Sequence, residues 1–144
     1  MTPIRDELYV GDIQHAARHE NYERAGIDTV LSLAHADPDR PYPESVRVER
    51  VPLLDGPQND LADTRHAVET LRDRLTAGET VFVHCSAGAS RSVGVAAAGL
   101  ALREGTETTV RDALDEIADR HPQSHPHPAI VDHVERAVAD LRSE

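Results

Sequence analysis

The chain has no lysine and no tryptophan, one cysteine and one methionine, and only four residues of the Phe, Tyr and Trp type among 144. Each shortage excludes something. Without lysine there is no Walker-type nucleotide loop and no Schiff-base chemistry. One cysteine rules out an internal disulfide and a four-cysteine zinc site. No apolar run approaches the roughly 20 residues that cross a bilayer, and no leader pattern is read at the start, so a cytoplasmic chain is expected. Positive charge is also scarce: 15 basic residues, all arginine, stand against 26 acidic ones, for a net charge of −11. That balance opposes attraction to nucleic acid or to an anionic membrane. An acidic, lysine-free surface is halophile-like, and an arginine-favouring codon bias gives the same composition. The length suits one domain, residues 1–144, with a real core, and a monomer is expected.

What is present centres on residues 81–92, Val81-Phe82-Val83-His84-Cys85-Ser86-Ala87-Gly88-Ala89-Ser90-Arg91-Ser92. Val81 to Val83 reads as a buried strand, and Val93 to Leu102 as a buried helix. A strand, a tight small-residue loop and a helix start aim backbone N–H groups at one point, where an anion can sit. Cys85 stands at the mouth of that loop. Beside a helix N-terminus and an arginine it should ionise more readily than a free thiol and act as a nucleophile. Arg91 offers a planar fork that grips two phosphate oxygens. Gly88 permits a positive φ, and Ser86, Ala87, Ala89 and Ser90 are small enough for the backbone to wrap an anion. The Ser92 hydroxyl can bond the sulfur as it leaves, and the His84 imidazole can brace the loop backbone. A lone cysteine at a strand end is ordinarily a small core hydrophobe. Here His, Cys, Gly, Arg and Ser at fixed offsets agree with the strand–loop–helix context.

Around this stretch the pattern predicts a strand at Glu7–Val10 and a helix from an Asp12 cap to about Arg24, stopped by Gly26. It predicts strands at Thr29–Leu33 and Val46–Val51, with a proline-rich loop over 34–44 between them. A helix follows from Asp60 to about Thr76, with Leu61, Val68, Leu71 and Leu75 inward. After Gly105, Thr106 is read as the cap of a helix carrying Val110, Ala113, Leu114, Ile117 and Ala118. A last helix carries Ile130, Val134, Val138 and Leu141. The fold class expected is a single-domain α/β layer structure with helices packed on a sheet.

The stretch His84-Cys85-x5-Arg91-Ser92, in the form HCSAGASRS, resembles the signature of the dual-specificity phosphatases, within the cysteine-dependent protein tyrosine phosphatase superfamily. The element order agrees over nearly the whole chain. The resemblance implies a central mixed sheet of about five strands and hydrolysis of phosphate monoesters through a phosphocysteine, without metal or cofactor. It also implies a phosphorylated protein as partner, and a pocket shallow enough for phosphoserine and phosphothreonine besides phosphotyrosine. Where the family often has Arg-Pro and Pro-Asn, this chain has His121-Pro122, Pro126 and Pro128, departures read as affecting only helix packing.

Expelling an alkoxide requires a proton donor, and a positioned acid contributes about 10²–10⁴-fold. Asp55 follows a strand, precedes Gly56-Pro57 and lies 30 residues before Cys85, near where the family carries its acid on a loop that swings over the phosphate. Asp60 and Asp63 compete with it, and read as a helix N-cap and a first-turn acid. The pairs His15/His19 and the late group His121, His125, His127 and His133 are too scattered for a metal reading. Tyr42, between Pro41 and Pro43, could line the pocket rim, but a surface-loop role is preferred. The expected function is a protein phosphatase. The alternatives are a phosphatase of phosphoinositides or RNA 5′-phosphates, which the uncharged loop positions disfavour, and a non-catalytic phosphate-binding module.

Overall fold

Val81–His84 forms the middle strand of the sheet in a computed structural model that describes residues 1–144. The five strands are β1 (Thr2–Arg5), β2 (Leu8–Gly11), β3 (Thr29–Ser32), β4 (Arg47–Arg50) and β5 (Val81–His84). They run in the order β1-β2-β5-β3-β4, with β1 antiparallel to β2 and every other pair parallel. The expected α/β architecture with a mixed five-stranded sheet is therefore the observed one.

Side chains of a strand alternate between the two faces, and this splits the core. Leu8, Val10, Leu31, Val81 and Val83 face the larger cluster with α3 (Leu61–Thr76), α4 (Arg91–Glu104), α5 (Val110–Arg120) and α6 (Pro128–Arg142). Val30 and Phe82 face the smaller one, with Ala16 of α1 (Ile13–Ala16) and Tyr22 of α2 (His19–Ala25). α4 is buried continuously from Ser92 to Ala101, so its N-terminus is held at the carboxyl end of β5. Two glycines allow that depth. A Cβ on Gly94 would lie 2.6 Å from Ile130 Cγ2, and one on Gly99 2.5 Å from Leu71 Cδ2.

The single helix expected over 12–24 is two helices. Asp12 does cap the first, accepting from His15 N at 2.8 Å. The carbonyls that would continue it are taken by side chains of the second: Asn21 Nδ2 donates to His15 O and the Tyr22 hydroxyl to Ala16 O. The chain therefore turns at Arg18, whose backbone is extended. Strand β1 escaped the pattern because Pro3 and a single paired side make it an edge strand. The cap of α5 is Thr109 and not Thr106, because only Thr109 has an acid three residues on to complete a capping box with Asp112. Leu61 and Ala118 face solvent rather than the core. Leu61 opens α3 beyond the point where that helix meets its neighbours.

Candidate active site

The loop between β5 and α4 is described by the fate of its carbonyls. His84 O accepts from Leu33 N, Ser86 O from Ile13 N and Ala89 O from His125 N. Cys85 O is 3.2 Å from His84 Nδ1, and Gly88 O is 2.6 Å from His121 Nε2. Ser90 O accepts from Gly94 N within the helix start. Nearly every carbonyl is thus tied outward. A peptide N–H points opposite to its carbonyl, so these N–H groups turn inward, and none from Ser86 to Ser90 donates to another protein group. The result is a nest of free donors at the N-terminus of α4, suited to an oxyanion. Gly88 is required twice. Its φ is +71°, and a Cβ there would sit 2.8 Å from Gly11 C and 2.9 Å from Asp12 N. The bend is pressed against the backbone at the end of β2.

Cys85 is buried at the base of this nest, with Sγ 3.3 Å from Ser92 Oγ. Arg91 Nη1 donates to Leu53 O at 2.8 Å, which ties the loop's last residue to the stem of the turn carrying Asp55. Asp55 lies against the loop, since Ser90 Oγ donates to its Oδ1 at 2.5 Å and in turn accepts from His127 N at 2.8 Å. Neither the Asp60 nor the Asp63 side chain hydrogen-bonds to the loop. Asp60 occupies the cap position of α3, but its side chain bonds none of the free helix N–H groups, so capping by that carboxylate does not occur. The turn around Asp55 is also less free to swing than expected. Asn59 Oδ1 accepts from Leu54 N at 2.7 Å, and Asn59 Nδ2 donates to Leu54 O at 2.6 Å and Gly56 O at 3.4 Å.

His84 faces the loop backbone, with Nδ1 3.2 Å from Cys85 O. It is fully buried, and burial pushes its pKa down to about 4. At neutral pH the ring therefore carries one proton. Nδ1 faces a carbonyl and must hold that proton, and Nε2 accepts from the Tyr42 hydroxyl at 2.8 Å. Tyr42 is accordingly not a mere surface-loop residue. Arg50 covers its ring at 5.4 Å, and burial raises the pKa of its phenol, which keeps it a donor.

No group of three or more His, Cys, Asp or Glu side chains converges as a metal cluster. His15 is spent on the cap of α1, and His19 Nε2 on Pro41 O. The model of the family described as "Dual specificity phosphatase, catalytic domain" matches residues 8–135. The chain belongs to this family.

Its relatives include mouse dual specificity protein phosphatase 22, 35% identical over 96 residues that make up 65% of this chain and 50% of that protein. Human dual specificity phosphatase 28 is 25% identical over 142 residues, 98% of this chain and 79% of that protein. The crystal structure of human DUSP28 superposes with a TM-score of 0.84 at 23% identity, covering 99% of each chain. Against several of its curated relatives the chain spans half of their length or less.

Within the dual-specificity phosphatase frame, the departure at His121 is not confined to helix packing. This residue is buried, and its ring touches the phosphate loop at Gly88. Asn59, Tyr42 and His121 are the site residues that sequence reasoning missed. Tyr42 and His121 act through side-chain hydrogen bonds to residues 42 and 33 positions away, distances that no local pattern reports. For Asn59 a signal existed: Asn favours turn positions where its side chain bonds nearby backbone.

Proposed function

We propose that residues 1–144 form a catalytic domain that hydrolyses phosphate monoesters on protein side chains, phosphotyrosine and phosphoserine or phosphothreonine, through a phosphocysteine. The observation that carries this reading is the outward tying of the carbonyls around Cys85, which leaves a ring of unbonded N–H groups over one sulfur. The thiolate of Cys85 attacks phosphorus while the P–O ester bond breaks. Asp55 transfers its proton to the leaving oxygen, and the alcohol or phenol departs. Water then attacks the phosphocysteine, Asp55 takes a proton from it, and the P–S bond breaks to release inorganic phosphate. Ser92 Oγ–H stabilises the departing sulfur. Arg91 and the N–H groups of Ser86, Ala87, Gly88, Ala89 and Ser90 hold the phosphoryl oxygens, which carry most of the developing charge. The route uses protein groups only.

A phosphorylated protein is the partner that fits. The four residues flanking Gly88 in the loop carry no charge that would reward a polyanion such as an inositol lipid or an RNA 5′-triphosphate. No helix is long and apolar enough to cross a membrane, and a cytoplasmic monomer is the setting we assign. The test is Cys85→Ser with a substrate panel. The variant should lose turnover of an aryl phosphate and of phosphopeptides while still binding tungstate. Turnover near wild type would rule out the covalent route. A wild-type preference for inositol lipid or RNA 5′-triphosphate would move the substrate to the alternative class.

A further inference from the structure

Gly88 is the one residue of the phosphate loop whose own carbonyl is anchored by a side chain from a distant part of the chain, His121 at the end of α5. It is also the loop residue where such an anchor matters most. Rotating the Gly88–Ala89 peptide changes ψ of a residue without a Cβ, so the usual steric barrier is absent. A rotation of that kind would replace the Ala89 N–H at the anion site by the Gly88 carbonyl oxygen. A donor would be lost and a repelling dipole gained. His121 Nε2 stands 2.6 Å from that oxygen, and Nδ1 is 2.7 Å from Thr2 Oγ1 on β1. A carbonyl can only accept, so Nε2 carries a proton. In the neutral ring Nδ1 then accepts from the Thr2 hydroxyl, which selects this tautomer. The residue is 2% exposed, so water does not compete for either nitrogen.

We propose that His121, oriented by Thr2, is a positioning residue that locks the Gly88–Ala89 peptide with its N–H towards the bound phosphoryl group. The proposal rests on the phosphatase reading above. It assigns a task in oxyanion binding to a position read from sequence as concerned with packing alone.

The experiment measures tungstate affinity by calorimetry in the Cys85→Ser background and aryl phosphate hydrolysis in the parent, with Tm recorded for each protein. His121→Ala should weaken tungstate binding by about 10–100-fold, the scale of one hydrogen bond to a charged group. KM for the aryl phosphate should rise with it. His121→Gln, whose amide can still donate to Gly88 O, should recover most of the loss. Thr2→Val leaves the ring in place and removes only its orienting hydroxyl. It should cost about 5-fold, the scale of a neutral hydrogen bond. Wild-type tungstate affinity in a folded His121→Ala protein overturns the proposal. So does a Gln variant as weak as the Ala one. Should the Ala variant not fold, unchanged affinity in Thr2→Val overturns it. If the parent neither binds tungstate nor hydrolyses any phosphate ester, the phosphatase reading itself has failed, and that outcome is distinct from the others.

Discussion

The loop from His84 to Ser90 and the turn from Leu54 to Asn59 meet across the site and are held in different ways. The loop is largely buried at its base, and its carbonyls are fixed by donors from the residue after β3, α1, the α5–α6 connection and its own histidine. The turn is mostly exposed, and one side chain, Asn59, makes all its internal bonds. Ser90 and Arg91 reach over from the loop to touch it at Asp55 and Leu53. On the proposed reading, anion binding is therefore supported by many contacts, and proton delivery by few. The difference teaches where a single change should hurt most: the load on the loop is shared among several anchors, whereas proton delivery from the turn rests on one carboxylate, Asp55.

The sharpest way to break that asymmetry is Asp55→Asn. It should slow hydrolysis of a phosphoserine peptide by about 10²–10⁴-fold. An activated aryl phosphate, whose leaving group departs without a proton, should be slowed far less. Asp60→Asn should leave both rates nearly unchanged, since its side chain bonds no helix N–H. Equal slowing of the two substrates by Asp55→Asn would make Asp55 a positioning residue. Leaving-group dependence in Asp60→Asn would transfer the role to that aspartate.

The second effect belongs to the buried half. His84 has its pKa pushed down to about 4 by burial, against an ordinary 6.5. As pH falls, the unfolded chain takes up the proton first. The stability linked to this group is therefore whole above about pH 6.5 and is lost between there and about pH 4. The shift corresponds to about 3 kcal/mol, as an order of magnitude. Tm measured at pH 7 and pH 4.5 should fall more in wild type than in His84→Gln, which has nothing to titrate there. Equal falls would mean that burial of the imidazole does not set its charge.

The smallest effect tests the staple. Asn59→Ala removes three hydrogen bonds from an exposed turn. It should lower kcat on the phosphoserine peptide by about 10-fold, the scale of one to two net hydrogen bonds, with the same leaving-group dependence as Asp55→Asn and little change in Tm. Equal slowing of both substrates would separate the staple from proton delivery.

What was legible in the sequence follows the same division. Cys85, Arg91, Ser92 and the loop between them are contiguous, so strand, loop and helix signals sufficed. Asp55 was singled out by a turn signal after a strand end and by its spacing from Cys85, and the structure brings it to the loop through Ser90. The sheet could be read from short apolar runs bounded by turn signals, such as Val81–Val83. The anchors were not legible. Tyr42 bonds a ring nitrogen and His121 a backbone oxygen far away in sequence, and nothing in residue type distinguishes such a histidine from a packing one. The break at Arg18 also escaped, because it depends on which distant side chains claim the carbonyls of α1.

The anchors of the loop also impose an order in time. The peptides at Gly88 and Ala89 are held by His121 and His125, residues made more than thirty positions later. At roughly 5–20 residues per second, synthesis needs about 2–7 seconds to reach them. During that interval β5 and the cysteine have been made, and the residues that hold the Gly88 and Ala89 carbonyls have not. On the proposed reading, two anchors of the oxyanion site thus come from the last quarter of the chain, and the nucleophile is made before them.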